Sequence, residues 1–152
     1  MNHNLKNSTE FMTMKIGGQL FGLAINRVQD VFTPDKITRI PLSSPEIAGV
    51  LNLRGRIVTV IDMRRRLQLP DRGSNHGCMA VGIEIGNESY GLLIDSVGEV
   101  LRLKDADIES NPANLDPCWA LVSGGVYRLE GELLVVLDVD RVLNISKESV
   151  AA

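Results

Sequence analysis

The sequence predicts an all-β protein made of two small, pseudo-symmetric barrels with short helical turns. Three observations predict it: a two-block internal repeat, four tight-turn signals between strand-like runs, and no sustained helical period.

The repeat sets the organisation. Phe21-Gly22-Leu23-Ala24-Ile25-Asn26-Arg27-Val28-Gln29-Asp30-Val31 returns as Tyr90-Gly91-Leu92-Leu93-Ile94-Asp95-Ser96-Val97-Gly98-Glu99-Val100. Further on, GVLNLRGRIVTVIDMRRRL at residues 49–67 returns as GVYRLEGELLVVLDVDRVL at residues 125–143. Both blocks recur in the same order. The chain therefore divides into repeat one at residues 11–69, a turn-rich linker at 70–77 and repeat two at 78–145, within one domain. Residues 1–10 and 146–152 read as flexible tails.

Each repeat reads as β structure. Runs at residues 13–16 and 19–23 flank Gly17-Gly18, a two-residue hairpin signal, and runs at 81–85 and 88–92 flank Gly86-Asn87. Second hairpins turn at Arg54-Gly55 and Glu130-Gly131, where glycine supplies the positive φ of a tight turn. The runs at 57–61 and 133–137 are apolar or β-branched almost throughout, so they predict strands covered on both faces. Pro45-Glu46-Ile47-Ala48 predicts a helical turn opened by proline at its first position. Asp62 and Asp138 follow equivalent strands and precede short helical turns, so both are predicted helix N-caps worth ~1 kcal/mol each.

The repeat also sorts residues by purpose. Those kept in both copies, Gly22 with Gly91, Gly55 with Gly131 and Asp62 with Asp138, are expected to serve the fold. Those that differ are candidates for partner contacts. Arg54 matches Glu130 at one turn position, so the turn is not expected to require arginine.

Composition narrows the function classes. The 152 residues carry a net charge of −3, which gives no electrostatic reason to expect nucleic acid or an anionic membrane. Aromatic residues make up 4%, so the core must be built mainly from Val, Leu and Ile. The polar N-terminus lacks a signal-peptide stretch, and the apolar run at 133–137 is far short of the ~20 residues that span a bilayer. Cys78 and Cys118 read as isolated, reduced, buried thiols, and the chain as cytoplasmic.

No catalytic, cofactor or metal site is predicted. Neither phosphate-binding glycine pattern occurs, and His3 and His76 fall in a tail and the linker, where a base or ligand would be poorly held. Asp62 and Asp138 could suggest an acid-protease dyad, but neither is followed by a glycine that would let two such turns close together. Asp62 after an apolar strand also suggests a receiver domain, yet the first strand runs into Gly17-Gly18 instead of an acidic pair. Arg64-Arg65-Arg66 reads as a solvated helix face, not a nucleic-acid stripe.

The stretch from Ile47 through Leu53-Arg54-Gly55 to Asp62-Met63-Arg64 resembles the signature of the CheW family of chemotaxis coupling proteins. So do Phe21-Gly22-Leu23, Val28-Gln29-Asp30-Val31 and Ile37-Thr38-Arg39-Ile40-Pro41, in order. The resemblance covers residues 11–145; Thr59 departs from it, standing where the family usually has proline. It implies two five-stranded SH3-like barrels packed about a pseudo-twofold axis. It further implies a non-catalytic adaptor that binds the cytoplasmic tip of methyl-accepting chemotaxis receptors and the regulatory domain of a CheA-type histidine kinase. Such an adaptor needs no cofactor, is expected to be a monomer in isolation, and is recruited from the cytoplasm to membrane-associated arrays. The same fold in a pilus-motility or surface-sensing pathway is the alternative. Partner contacts implied by the resemblance fall at Val28, Val31, Thr38, Gly49 and Arg54.

Overall fold

The computed structural model describes residues 7–41, 43–70 and 78–143. β1 (Ser8–Ile16) and β2 (Gln19–Ala24) form the first hairpin, followed by a 3-10 turn (Ile25–Arg27) and the short β3 (Asp30–Phe32). β4 (Ile47–Leu53) and β5 (Arg56–Asp62) form the second hairpin and lead into α1 (Met63–Arg66). Repeat two supplies β6 (Met79–Ile85), β7 (Glu88–Ile94), β8 (Ser96–Lys104) and a 3-10 turn (Asp105–Asp107). It continues through α2 (Pro117–Val122), β9 (Ser123–Leu129), β10 (Glu132–Leu137) and α3 (Val139–Val142).

The strands assemble into two five-stranded sheets, in the orders β8-β1-β2-β10-β9 and β3-β6-β7-β5-β4. The repeats exchange hairpins: each sheet takes its β1–β2 or β6–β7 hairpin from one repeat and its other three strands from the other. Two parallel pairings make the exchange, β2 with β10 and β5 with β7. Swapping matched strands turns one order into the other, so the pseudo-twofold relation is complete at the level of topology.

Strand alternation divides the apolar side chains among three cores. Met12, Met14 and Ile16 of β1, Phe21 and Leu23 of β2, and Val135 and Leu137 of β10 face one central cluster. Val81, Ile83, Leu92 and Ile94 meet them there from the second sheet, so this cluster lies between the sheets. The opposite faces line a separate core in each barrel: Phe11, Leu20, Tyr127 and Leu134 in the first, Leu51, Val58, Val60 and Leu93 in the second. β10 is covered on both sides for this reason, Leu134 and Val135 being fully buried on opposite faces. β5 departs from that expectation at its start, because Ile57 is 63% exposed.

Four further expectations are corrected. Residues 8–10 are not part of a flexible tail, since Ser8, Thr9 and Glu10 pair with Lys104, Leu103 and Arg102 of β8. Pro45 and Glu46 form a non-helical turn, closed by Ile47 N donating to Ser44 O at 2.9 Å, and Ile47 and Ala48 already belong to β4. Cys78 is buried, but Cys118, in α2, is only half-buried. The arginine run is not a solvated face. Arg64 is gripped by Asp95 at 2.7 Å, and Arg66 donates to the carbonyls of Arg141 and Val142 at 3.2 and 3.3 Å. Residues 1–6, 71–77 and 144–152, with both histidines, lie outside the described residues.

Candidate partner-binding corner

Asp30 organises one corner of the second barrel, where β3 and the β4–β5 turn meet. Its Oδ2 lies 3.9 Å from Arg54 Nη1 and 4.0 Å from Arg56 Nη2, and Arg56 Nη1 also donates to Gln29 Oε1 at 3.1 Å. The other oxygen, Oδ1, is buried without a hydrogen-bond partner among the described residues. It packs over Gly82 of β6, where an added Cβ would come within 2.1 Å of it. Glycine at that position is therefore what lets the carboxylate turn in beneath the arginines.

The matched position in the first barrel is built differently. Thr13 stands where Gly82 does, is 3% exposed, and donates Oγ1 to Glu99 O at 2.6 Å. Glu99 matches Asp30 in the repeat but is exposed. The fold thus repeats while the surface chemistry diverges.

Three of the sequence-implied contact residues gather at this corner. Val31 is 38% exposed on the edge strand β3, next to Asp30, and Arg54 reaches across from the turn with its side chain 77% exposed. Val28 closes the preceding 3-10 turn and is half-buried against the central core. Thr38 is exposed and exchanges two backbone hydrogen bonds with Val50, at 2.7 and 2.8 Å. It lines a shallow hollow of about 420 Å³ with Phe32, Lys36, Val50, Asn52 and Ile57, which continues the corner along β4. Gly49 differs from the rest. It is buried at φ +148, and a Cβ there would lie 2.2 Å from Thr38 O. Its own atoms offer a partner little; its absent side chain seats the Thr38 segment against β4.

The structural residues have specific places too. Asp62 Oδ1 accepts from Arg64 N at 3.0 Å, and Asp138 Oδ1 accepts from Asp140 N and Arg141 N at 3.1 and 3.3 Å. Gly55 and Gly131 turn at φ +85 and +83, while Gly22 and Gly91 lie against Leu134 and Phe32. One inference from the repeat needs correction. Arg54 sits at φ +53 whereas Glu130 does not take positive φ, so the matched turns differ in backbone geometry.

Sequence reasoning misses Asp30, Arg56 and Ile57 as parts of this corner. The near-step of Asp30 with Glu99 is the available signal for the first. Nothing local signals Ile57, whose neighbours Val58 and Val60 are buried on the other face. Chemically, the corner offers exposed aliphatic surface beside guanidinium donors that lie within 4.0 Å of a carboxylate, an arrangement suited to docking a protein surface.

Comparison with known proteins agrees in extent as well as kind. The family model described as "CheW-like domain" matches residues 10–147. The chain belongs to the CheW-like domain family. It is 28% identical over 149 residues to the chemotaxis protein CheW of Bacillus subtilis, covering 98% of this chain and 94% of that one. It is 27% identical to the chemotaxis protein CheW of Klebsiella aerogenes, covering 89% and 81%. A crystal structure of the scaffolding protein TtCheW from Thermoanaerobacter tengcongensis superposes with a TM-score of 0.77 at 27% identity, covering 86% of this chain and 84% of that one. The two five-stranded sheets are the SH3-like barrels of the CheW-like fold. Among the described residues, no helix is long and apolar enough to cross a membrane.

Proposed function

We propose that this chain is a non-catalytic adaptor that couples chemoreceptors to a CheA-type histidine kinase in a bacterial chemotaxis array. The match to the CheW-like domain along nearly the whole chain carries this reading. The exposed corner of Val31 and Arg54, with Val28 behind it and Thr38 beside it, is the proposed docking surface. Its part is mechanical. A receptor tip and a kinase regulatory domain held on one stiff two-barrel body transmit a change of packing from one to the other. The barrels share a central core, so a displacement of one is carried to the other without a flexible joint.

The test is reconstitution of the purified chain with receptor tips in membranes and a CheA-type kinase. Both should be captured together, with kinase activation dependent on the chain. Arg54→Glu should leave melting unchanged, because both residues face the same cost at φ +53 and an exposed charge changes stability by no more than about 0.5 kcal/mol. It should lower activation at least about tenfold, since reversing a contact charge costs more than the ~1.4 kcal/mol that tenfold represents. Failure to capture either partner would overturn the coupling role, and full activation by the Arg54→Glu variant would remove Arg54 from the contact.

A further inference from the structure

Each barrel carries a hollow beside its terminal helical turn, and the two hollows are built from matched residues. Thr38 bridges Val50 in the second barrel as Glu109 bridges Val126 in the first, so the segments at 37–41 and 108–112 correspond. Asn111 therefore matches Ile40 and Ser110 matches Arg39, while the pairing of Gly49 with Gly125 sets Ser123 against Ile47. In the first barrel the polar pair ties the hollow together from within. Ser123 is 1% exposed and donates Oγ to Asn111 Oδ1 at 2.6 Å, and Arg141 Nη1 donates to Ser123 O at 2.9 Å. About 370 Å³ is left open there.

In the second barrel two isoleucines replace that polar pair, and no hydrogen bond between their side chains can form. The hollow is larger, at about 680 Å³, and Ile37, Ile40, Ile47, Ala48 and Leu93 give it an apolar lining. Ile40 is 40% exposed at its edge. Arg39, Arg65 and Asp62 also line it. Asp62 is already engaged, with Oδ1 capping α1 and Oδ2 lying 3.8 Å from Arg65 Nε. Arg39 is exposed and makes no ion pair among the described residues. Two guanidinium groups thus stand beside an apolar lining with one carboxylate between them, so the charge left over is positive.

We infer that this hollow binds a small organic carboxylate with an aromatic or branched aliphatic body. The body covers the isoleucines, and the carboxylate accepts from the Arg39 guanidinium with Arg65 beside it, a charge-assisted contact that neutral ligands cannot make. The volume of about 680 Å³ falls in the range of small-molecule sites, about 300–1,000 Å³. The first barrel's hollow lacks both features, because Ser110 stands in place of Arg39 and Asn111 in place of Ile40. Only the second barrel binds the ligand. The site shares no residue with the docking surface proposed above, and binding is read without receptor or kinase present.

Titration of the full-length chain with phenylbutyrate, followed by amide NMR, tests the site, with phenylbutyramide as the uncharged control. A ligand of about a dozen heavy atoms at ordinary efficiency should saturate with a dissociation constant on the order of 1 mM. The shifts should gather at residues 37–48 and around Arg65. The amide should bind about tenfold more weakly, and Arg39→Ala should weaken the acid by a similar factor. The double variant Ile40→Asn, Ile47→Ser rebuilds the first barrel's polar pair and should abolish binding. No saturable shift up to about 10 mM, ten times the expected constant, overturns the proposal. Equal binding of acid and amide overturns it too, as do shifts centred away from the hollow. Should a variant fail to fold, the comparison of acid with amide on the unaltered chain decides.

Discussion

Arg64 grips Asp95 through two parallel hydrogen bonds, Nε to Oδ1 at 2.9 Å and Nη2 to Oδ2 at 2.7 Å. The pair joins α1 of repeat one to the β7–β8 junction of repeat two. Asp95 also accepts from Gly17 N at 2.8 Å, in the β1–β2 turn, and Arg64 Nη1 donates to Pro70 O at 2.8 Å. Elements from both sheets and the start of the linker therefore converge on one charge pair. The matched residues in the other half, Asp140 and Asn26, are an acid and an amide and cannot form it. The pseudo-symmetry is broken here.

Asp95→Ala should destabilise the protein by about 2–3 kcal/mol, because a partly buried guanidinium loses its charged acceptor. Arg64→Ala should cost a similar amount. The double variant should be little worse than either single one, which a urea-unfolding cycle measures directly. Additive losses would show that the two residues act separately.

Asp62→Ala and Asp138→Ala should each lower stability by about 0.5–2 kcal/mol through loss of the cap. Capture of partners by the folded protein should persist. A variant with unchanged melting that no longer captures either partner would place the carboxylate in the contact surface instead.

Glycine substitutions should rank by what the new Cβ meets. Gly49→Ala places it 2.2 Å from a backbone oxygen at φ +148 and should cost more than about 3 kcal/mol. Gly125→Ala meets the movable Ile108 Cδ1 at 2.8 Å and Glu109 O at 3.1 Å, and should cost less. Gly55→Ala points into open space at φ +85 and should cost only the left-handed penalty of about 1–2 kcal/mol. Thermal melting of the three gives the order.

Alkaline titration should reveal late tyrosine ionisation. Burial, helped by a hydrogen bond to Glu88, pushes Tyr90 up to about 12, and burial beside Asp105 and Asp107 raises Tyr127. The folded chain then binds more protons than the unfolded one once pH passes about 10, so stability falls as pH rises from there towards 12. Tyr90 should ionise near pH 12 or on unfolding, and Tyr127 above the ordinary tyrosine range. Half-ionisation at pH 10 in the folded protein would contradict the burial of these rings.

The local devices are legible in the sequence. Gly17-Gly18 and Arg54-Gly55 turn where their φ requirements indicate, at +60 and +83 for the first pair and +53 and +85 for the second. Asp62 and Asp138 are recognisable as acceptors because a cap is made within three residues. The Asp30 corner is only half legible. Val31 and Arg54 follow from the family resemblance, but the carboxylate beside them and the glycine beneath it lie on separate strands. The arginine run misleads a local reading because Arg64 finds its partner 31 residues away and Arg66 finds its own 75 and 76 residues away.

By itself the sequence determined that two similar β halves form, where their hairpins turn, and that each strand presents an apolar face. These follow from backbone φ, hydrogen bonds a few residues long and side-chain alternation, all of which are written locally. Only the tertiary structure decided that the halves exchange hairpins. Matched hairpins carry the same apolar pattern, so the pattern alone cannot tell β2 beside β10 from β2 beside β5. What separates the two is burial of the opposite strand faces in a core shared between the sheets. That choice places Arg64 against Asp95 and sets Gly82 of repeat two beneath Asp30 of repeat one, because non-local packing decides which side chains meet.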